Sequence, residues 1–153
     1  MKIIVMSDSH GAASRLMRIG RIHVDADAYL FLGDGWRDFD DFKNEFQGKY
    51  CAAVKGNCDL GCTEDLIRTL YLGEKKILMS HGHLFGVKSG IGGMRAEALS
   101  NGCDIMLYGH THEAFTDYAD GLYVMNPGSV KNGNYGIIEI ISGGILTSIA
   151  ECD

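Results

Sequence analysis

The chain has 153 residues, 46% of them hydrophobic and 22% charged, with a net charge of −6 and a pI near 5.4. That length fits one domain spanning residues 1–153, large enough to build a core without staples. The acidic balance excludes a sequence-independent grip on DNA or RNA, which needs a basic face, but not small anionic substrates, because bound cations reverse the sign of a site locally.

No run approaches the ~20 apolar residues of a membrane span, and the apolar start is too short for the core of a signal peptide. Five cysteines, at 51, 58, 62, 103 and 152, form no CxxC pair. Their odd number points to a reducing cytoplasm rather than a disulfide framework.

In chain order, the first strand-like run is Lys2–Met6, followed by Ser7-Asp8-Ser9-His10. Ala12–His23 carries Leu16, Ile19 and Ile22 at helical spacing, and His23 reads as a cation favourably placed at that helix's C-terminal end. Ala28–Leu32 runs into Gly33-Asp34-Gly35, then Trp36, Arg37 and a short helical stretch, Phe39–Phe46. Tyr50–Val54 leads to Lys55-Gly56-Asn57-Cys58-Asp59, and Lys76–Met79 to Ser80-His81-Gly82-His83. Leu84–Gly93 is glycine-rich and reads equally as a lid or as a plain loop. A third helix is expected over Met94–Ser100. Asp104–Tyr108 then leads to Gly109-His110-Thr111-His112, and Leu122–Met125 to Asn126-Pro127-Gly128-Ser129. Ala119-Asp120-Gly121 and Ser142-Gly143-Gly144 read as hairpin turns.

The strand-like runs are apolar nearly throughout, as strands buried on both faces are. The methionines within them, such as Met6, Met79, Met106 and Met125, read as core filling. The first two thirds is β-α-β and the last third antiparallel β, which predicts an α/β sandwich of two packed sheets flanked by helices.

Ligands of α/β sheets gather beyond the carboxyl ends of strands, and that edge would here be lined with Asp, Asn and His. Five of the six histidines fall there. Random placement gives roughly 0.2 His-x-His pairs, whereas the chain has two, His81-x-His83 and His110-x-His112. Oxygen and nitrogen donors of this kind suit manganese, iron, zinc, cobalt, nickel or magnesium. No cysteine is placed like a ligand, which argues against a structural zinc site. Asp8, His10, Asp34, Asn57, His81, His110 and His112 are too many donors for one ion and suit two that share a carboxylate.

Asp8-x-His10, Gly33-Asp34, Gly56-Asn57-x-Asp59, His81-x-His83 and Gly109-His110-Thr111-His112, in that order, resemble the calcineurin-like metallophosphoesterase superfamily. The short chain, Cys58 after Asn57 and the Asn126–Ser129 segment resemble its small bacterial and archaeal phosphodiesterase branch. The resemblance runs from about Lys2 to Val130. It implies a four-layer α/β/β/α sandwich of two mixed sheets flanked by helices. It also implies one ion held by Asp8, His10, Asp34 and His112, and a second held by Asp34, Asn57, His81 and His110, with Asp34 bridging. Manganese heads the candidate metals.

Two cations ~3.5–4 Å apart clamp a phosphate and acidify a bridging water, so that the resulting hydroxide attacks phosphorus in line. No nucleophile elbow of the GxSxG type is present or needed. His83 is a candidate for contacting substrate or stabilising the transition state, or else for supporting the loop. Asn57 would also touch substrate. Asp59 either orients a histidine or forms an Asx-turn. Trp36 and Arg37 would line the substrate pocket, the arginine against phosphate. Where many larger members of the superfamily carry a histidine as proton donor to the leaving group, this chain has Cys58, a poor donor.

The reading is therefore a metal-dependent phosphodiesterase acting on a small phosphate ester. The alternative is a protein-binding scaffold on the same fold, as in a eukaryotic trafficking subunit. A homodimer is the default expectation for assembly.

Overall fold

The unbroken hydrophobicity of the strand runs has a geometric cause, visible in a computed structural model that describes all 153 residues. In β1 (Lys2–Met6), Ile3 and Val5 point one way and Ile4 and Met6 the other, and all four are fully buried. The alternation continues in β2 (Ala28–Phe31) and β3 (Tyr50–Ala53). Successive side chains point to opposite faces, so both faces of this sheet must be covered.

One face meets a second sheet. Ile3, Val5, Leu30 and Leu32 pack there against Leu70, Ile77, Met79, Ile105 and Met125. The other face meets two helices, α1 (Ala13–Ile22) and α2 (Trp36–Glu45). Leu16 and Ile19 of the first and Phe39 and Phe42 of the second cover Ile4, Met6, Tyr29 and Phe31. Phe39 stacks on Phe31 with ring centroids 4.9 Å apart. Losing a buried ring of this kind costs roughly 3–5 kcal/mol.

The first sheet has the order β10-β9-β1-β2-β3, with β1, β2 and β3 parallel. β9 (Asn134–Ile141) and β10 (Gly144–Glu151) form a hairpin whose first arm, β9, pairs antiparallel with β1. The second sheet has the order β4-β5-β6-β8-β7. It comprises β4 (Ile67–Leu72), β5 (Lys75–Ser80), β6 (Ile105–Leu107), β7 (Phe115–Ala119) and β8 (Leu122–Asn126). Its outer face is covered by α3 (Gly92–Ser100), through Met94 and Ala98, together with Val87. The result is the expected four-layer α/β/β/α sandwich. No helix is long and apolar enough to cross a membrane.

Three details differ from the sequence reading. β4 went unseen because it is an edge strand whose buried residues, Leu70 and Leu72, alternate with exposed ones. β8 is not part of a purely antiparallel region. It pairs in parallel with β6, Ile105 opposite Tyr123 and Leu107 opposite Met125, and this brings its C-terminal end to the same edge as β5 and β6. The glycine-rich Leu84–Gly93 stretch folds into short 3-10 turns at His83–Phe85 and Val87–Ser89, then enters α3.

His23 is a fourth correction. It does sit at the end of α1, but it is only 8% exposed and its Nε2 shares a 2.9 Å hydrogen bond with the Tyr135 hydroxyl. Burial, then the neighbouring Lys2 charge, pulls its pKa below the ordinary value. It is therefore a neutral core histidine rather than a helix-end cation. The unfolded chain binds this proton more readily than the folded one. The His23 contribution to stability is thus complete above the unfolded pKa of about 6.5 and is lost as pH falls below it. Urea unfolding at pH 5.0, 6.0 and 7.5 should show a weaker loss of stability toward acid in His23→Gln than in the parent protein. Parallel pH profiles for the two would remove His23 from the acid response.

Candidate metal centre

The parallel strands β1, β2, β3, β5, β6 and β8 deliver their following loops to one edge of the sandwich. Asp8 leaves β1 fully buried. Its Oδ2 accepts hydrogen bonds from the Ser7 hydroxyl and, at 3.1 Å, from the His110 backbone N–H. Its Oδ1 is buried with no hydrogen-bond partner. That atom instead faces imidazole nitrogens, His112 Nε2 at 3.0 Å, His10 Nε2 at 3.6 Å and His81 Nε2 at 3.9 Å.

Asp34, after β2, is arranged in the same way. Oδ1 accepts the Cys58 backbone N–H at 2.8 Å, while Oδ2 lies 3.3 Å from His81 Nε2 and 3.7 Å from His10 Nε2. Burial pushes its pKa up, but the hydrogen bonds from His81 and from the Cys58 backbone outweigh that. The carboxyl is held well below the usual range and stays ionised. His81 Nδ1 lies 2.7 Å from the Leu32 carbonyl. A carbonyl only accepts, so Nδ1 carries a proton, and Nε2, which hydrogen-bonds Asp34 while protonated, would offer its lone pair to a cation that took that proton's place.

Ring nitrogens also face one another, His10 Nε2 and His112 Nε2 at 3.3 Å, and His81 Nε2 and His110 Nδ1 at 3.1 Å. Donors ~2.0–2.2 Å from a shared ion stand about 3–3.5 Å apart. The donors sort into the groups Asp8–His10–His112 and Asp34–His81–His110, each with donor atoms within 4.8 Å of one another. The orphaned Asp8 Oδ1 and the facing imidazoles fit divalent cations.

Backbone strain is concentrated here as well. Seven non-glycine residues have positive φ, and five of them are Asp8, His10, Asp34, His110 and His112. The other two, Glu74 and Asp120, sit in hairpin turns. Left-handed non-glycine positions cost on the order of 1–3 kcal/mol each and persist where the surroundings over-determine them. Two glycines let the loops approach closely. A Cβ on Gly56 would collide with Asp34 Oδ1, and one on Gly109 would collide with Ser7 Oγ and stand 2.8 Å from Asp8 Oδ2.

Other expected residues fall around this cluster. Asp59 does not orient a histidine. It is 3% exposed, and its carboxylate accepts four backbone N–H groups, from Asp34, Gly35, Trp36 and Gly56, at 2.8–3.1 Å. It ties the loop after β3 to the loop after β2. Asn57 is exposed on the same loop, its Nδ2 3.5 Å from Cys58 Sγ. Cys58 corrects the view that no cysteine stands near the donors, since its Sγ lies within 4.8 Å of His10 and Asp34 donor atoms. Burial and the Asp34 charge raise its pKa and keep the thiol protonated. His83 is half-buried, its ring 5.5 Å from that of His81 and 6.1 Å from that of His110, and its Nδ1 is buried without a partner. Burial, then the His81 charge, lowers its pKa.

Sequence reasoning missed several supports. Asp38 Oδ2 accepts the Ser9 hydroxyl at 2.6 Å and the Gly11 N–H at 2.9 Å, fixing the His10 loop to α2. Asn126 Nδ2 donates to the Gly109 carbonyl and to Thr111 Oγ1, and so shapes the loop that bears His110 and His112. Ser129 Oγ donates to the Asp8 carbonyl at 2.8 Å. The Asn126–Ser129 segment was visible as a motif, but nothing local marks Asp38.

Residues 1–141 match the sequence model of the calcineurin-like phosphoesterase superfamily domain, and the chain belongs to that superfamily of metal-dependent phosphoester hydrolases. A probable metallophosphoesterase of Bacillus subtilis, YsnB, is 32% identical over 139 residues, covering 86% of this chain and 76% of the relative. The phosphodiesterase YfcE of Escherichia coli K12 is 28% identical, covering 98% and 92%. Among solved structures, a conserved protein of Streptococcus pneumoniae described as a predicted phosphoesterase superposes with a TM-score of 0.85 at 27% identity, covering 98% of this chain and 88% of that one. Vps29 from Entamoeba histolytica complexed with zinc has a TM-score of 0.74 at 19% identity, with 99% of each chain covered, and shares the fold.

Binding of ions to the folded state alone raises its stability, by about 2.7 kcal/mol at a hundred times Kd. In a domain of this size that is roughly 5–10 °C of melting temperature. Calorimetry of chelator-stripped protein with and without manganese should show that rise. An unchanged Tm would mean that the strained donor cluster is stable without cations.

Proposed function

We propose that the protein is a phosphodiesterase working with two divalent ions that share Asp34. The observation that carries this is the buried Asp8 Oδ1, which has no hydrogen-bond partner, set among imidazole nitrogens beside a second carboxylate that faces His81 and His10.

Asp8, His10 and His112 would hold one ion, and His81, His110 and Asn57 the other, with Asp34 between them. When bound, such a pair supplies Lewis-acid polarisation of the phosphoryl group and acidifies the attacking water. The side chains do the rest. Asp34 and Asp8 bring the negative charge that holds the cations. The Leu32 carbonyl fixes the tautomer of His81. Asp59 and Asn126 hold the loops, so that the donors keep their spacing without moving. His83 borders the His81–His110 side and, neutral near pH 7, would donate a hydrogen bond to a phosphoryl oxygen. Asn57, exposed on its loop, would contact the same ester. Cys58, a protonated thiol beside Asp34, occupies the place where a stronger acid would stand. Diesters with good leaving groups therefore suit the site better than monoesters of poor ones.

A mixed set of oxygen and nitrogen donors accepts several divalent ions, and manganese is the first candidate among them. The name of the YfcE relative supports the diester preference. A binding scaffold on this fold has only the Vps29 likeness behind it, and an unbroken set of Asp and His donors stands against it.

The test is metal-stripped protein reloaded with manganese, iron, zinc, cobalt, nickel or magnesium and assayed on bis(p-nitrophenyl) phosphate and p-nitrophenyl phosphate. We expect about two ions per chain and faster turnover of the diester. Asp34→Asn should lower kcat/KM by roughly a hundredfold or more, since it weakens both ions. Asp34→Asn within a few fold of the parent, or full activity after stripping, would sink the shared-carboxylate reading.

A further inference from the structure

Two pockets open along the edge that carries the donors, the first with donors in its lining and the second meeting the His110–His112 loop at Thr111. The first, about 360 Å³, has His10, Asp34 and Cys58 in its lining and is otherwise walled by Trp36, Arg37 and Leu60. These come from the segments after β1, β2 and β3, Trp36 and Arg37 opening α2. The second, about 520 Å³, is lined by Ile91, Tyr108, Thr111 and Phe115, with Lys88 and Glu113 as its two charged residues. These come from the segments after β5 and β6, and Thr111 stands between His110 and His112. Both volumes fall within the ~300–1,000 Å³ range of small-molecule sites.

The chemistry of each pocket is specific. In the first, every carboxylate is already engaged. Asp34 faces the imidazoles, Asp38 accepts from Ser9 and Gly11, and Asp59 holds four backbone amides. What remains is an indole with the Arg37 guanidinium 5.5 Å above its ring, and Leu60, 83% exposed with no core to pack against. Arg37 has no acidic partner among the ion pairs of the chain. The pocket therefore offers a flat aromatic face, an apolar rim and a cation. In the second pocket Thr111 Oγ1 is taken by Asn126. The walls are Ile91, the buried Tyr108 and the exposed Phe115, which suits an apolar ring. A phosphomonoester has one organic arm and fills one pocket. A diester has two, which leave the tetrahedral phosphorus in different directions.

We propose that the two pockets receive the two ester arms of a phosphodiester, so that the site selects diesters in which both arms carry a ring, of aryl or nucleoside size. This rests on the phosphodiesterase reading above.

The test uses the metal-loaded protein and p-nitrophenyl diesters whose second arm is methyl, phenyl or thymidine-5′. The parent protein should prefer a ring over methyl by about tenfold in kcat/KM. Trp36→Phe, Leu60→Ala and Phe115→Ala should each reduce that ratio severalfold, and Trp36→Ala combined with Phe115→Ala should abolish it. Leu60 and Phe115 lie on the surface, so these variants test the idea even if a tryptophan variant folds poorly. A reading without turnover is also available, because Trp36 is the single tryptophan of the chain. Diphenyl phosphate should quench its emission and methyl phosphate should not. A parent ratio near one, ratios unchanged in every variant, or no quenching by diphenyl phosphate would overturn the two-pocket assignment. Absence of turnover for all three diesters in the loaded parent protein would instead overturn the phosphodiesterase reading itself.

Discussion

Asp8 Oδ1 is buried, has no hydrogen-bond donor, and looks at three imidazole nitrogens within 4 Å. A buried carboxylate in that position is costly unless a cation compensates it. The rest of this edge of the molecule is organised around keeping it there. Its other oxygen is tied to Ser7 and to the His110 backbone, its carbonyl accepts from Ser129, and its amide donates to the Gly33 carbonyl at 2.9 Å. The carboxylate cannot turn away to find water, so the free oxygen stays aimed at the space between the histidines.

The same logic spreads outward. Five donor-bearing residues are held in left-handed backbone conformations, which a peptide would leave if the loops were free. Asp59 with its four amides, Asp38 with Ser9, and Asn126 with Thr111 are what prevent that. The sandwich beneath contributes stiffness. Its three apolar clusters bury β1, β2, β6 and the C-terminal half of β5, the strands that lead into the donor loops, so those loops have little room to relax. Strain at the site and density in the core are two halves of one arrangement.

Most of this was legible in the sequence for a simple reason. Strands buried on both faces give unbroken apolar runs, and metal chemistry needs Asp and His directly after them, so KIIVM before Ser7–His10 or DIMLY before Gly109–His112 announces both strand and site. The illegible parts are those without a local signature. β4 alternates like any edge strand. The parallel placement of β8 depends on its partner β6, far away in sequence. His23 looks like a helix-end cation until Tyr135, which sits 112 residues later, closes over it. Asp59 was noticed as an acid near the site, but its partners are main-chain amides, which carry no residue identity for a sequence to reveal. Cys58 was judged by its type, whereas its position beside Asp34 is set by the turn at Gly56.

One further consequence follows from how the donors are shared out. Asp8 and His10 come from the first sheet and His112 from the second, while Asp34 comes from the first and His81 and His110 from the second. Each cation would thus act as a rivet through both sheets, resisting any sliding of one over the other. The distance between sheets is set by residues such as Leu30, Met79 and Ile105, well below the rivets. Metal affinity in this protein is therefore also a gauge of how well those remote apolar side chains mesh.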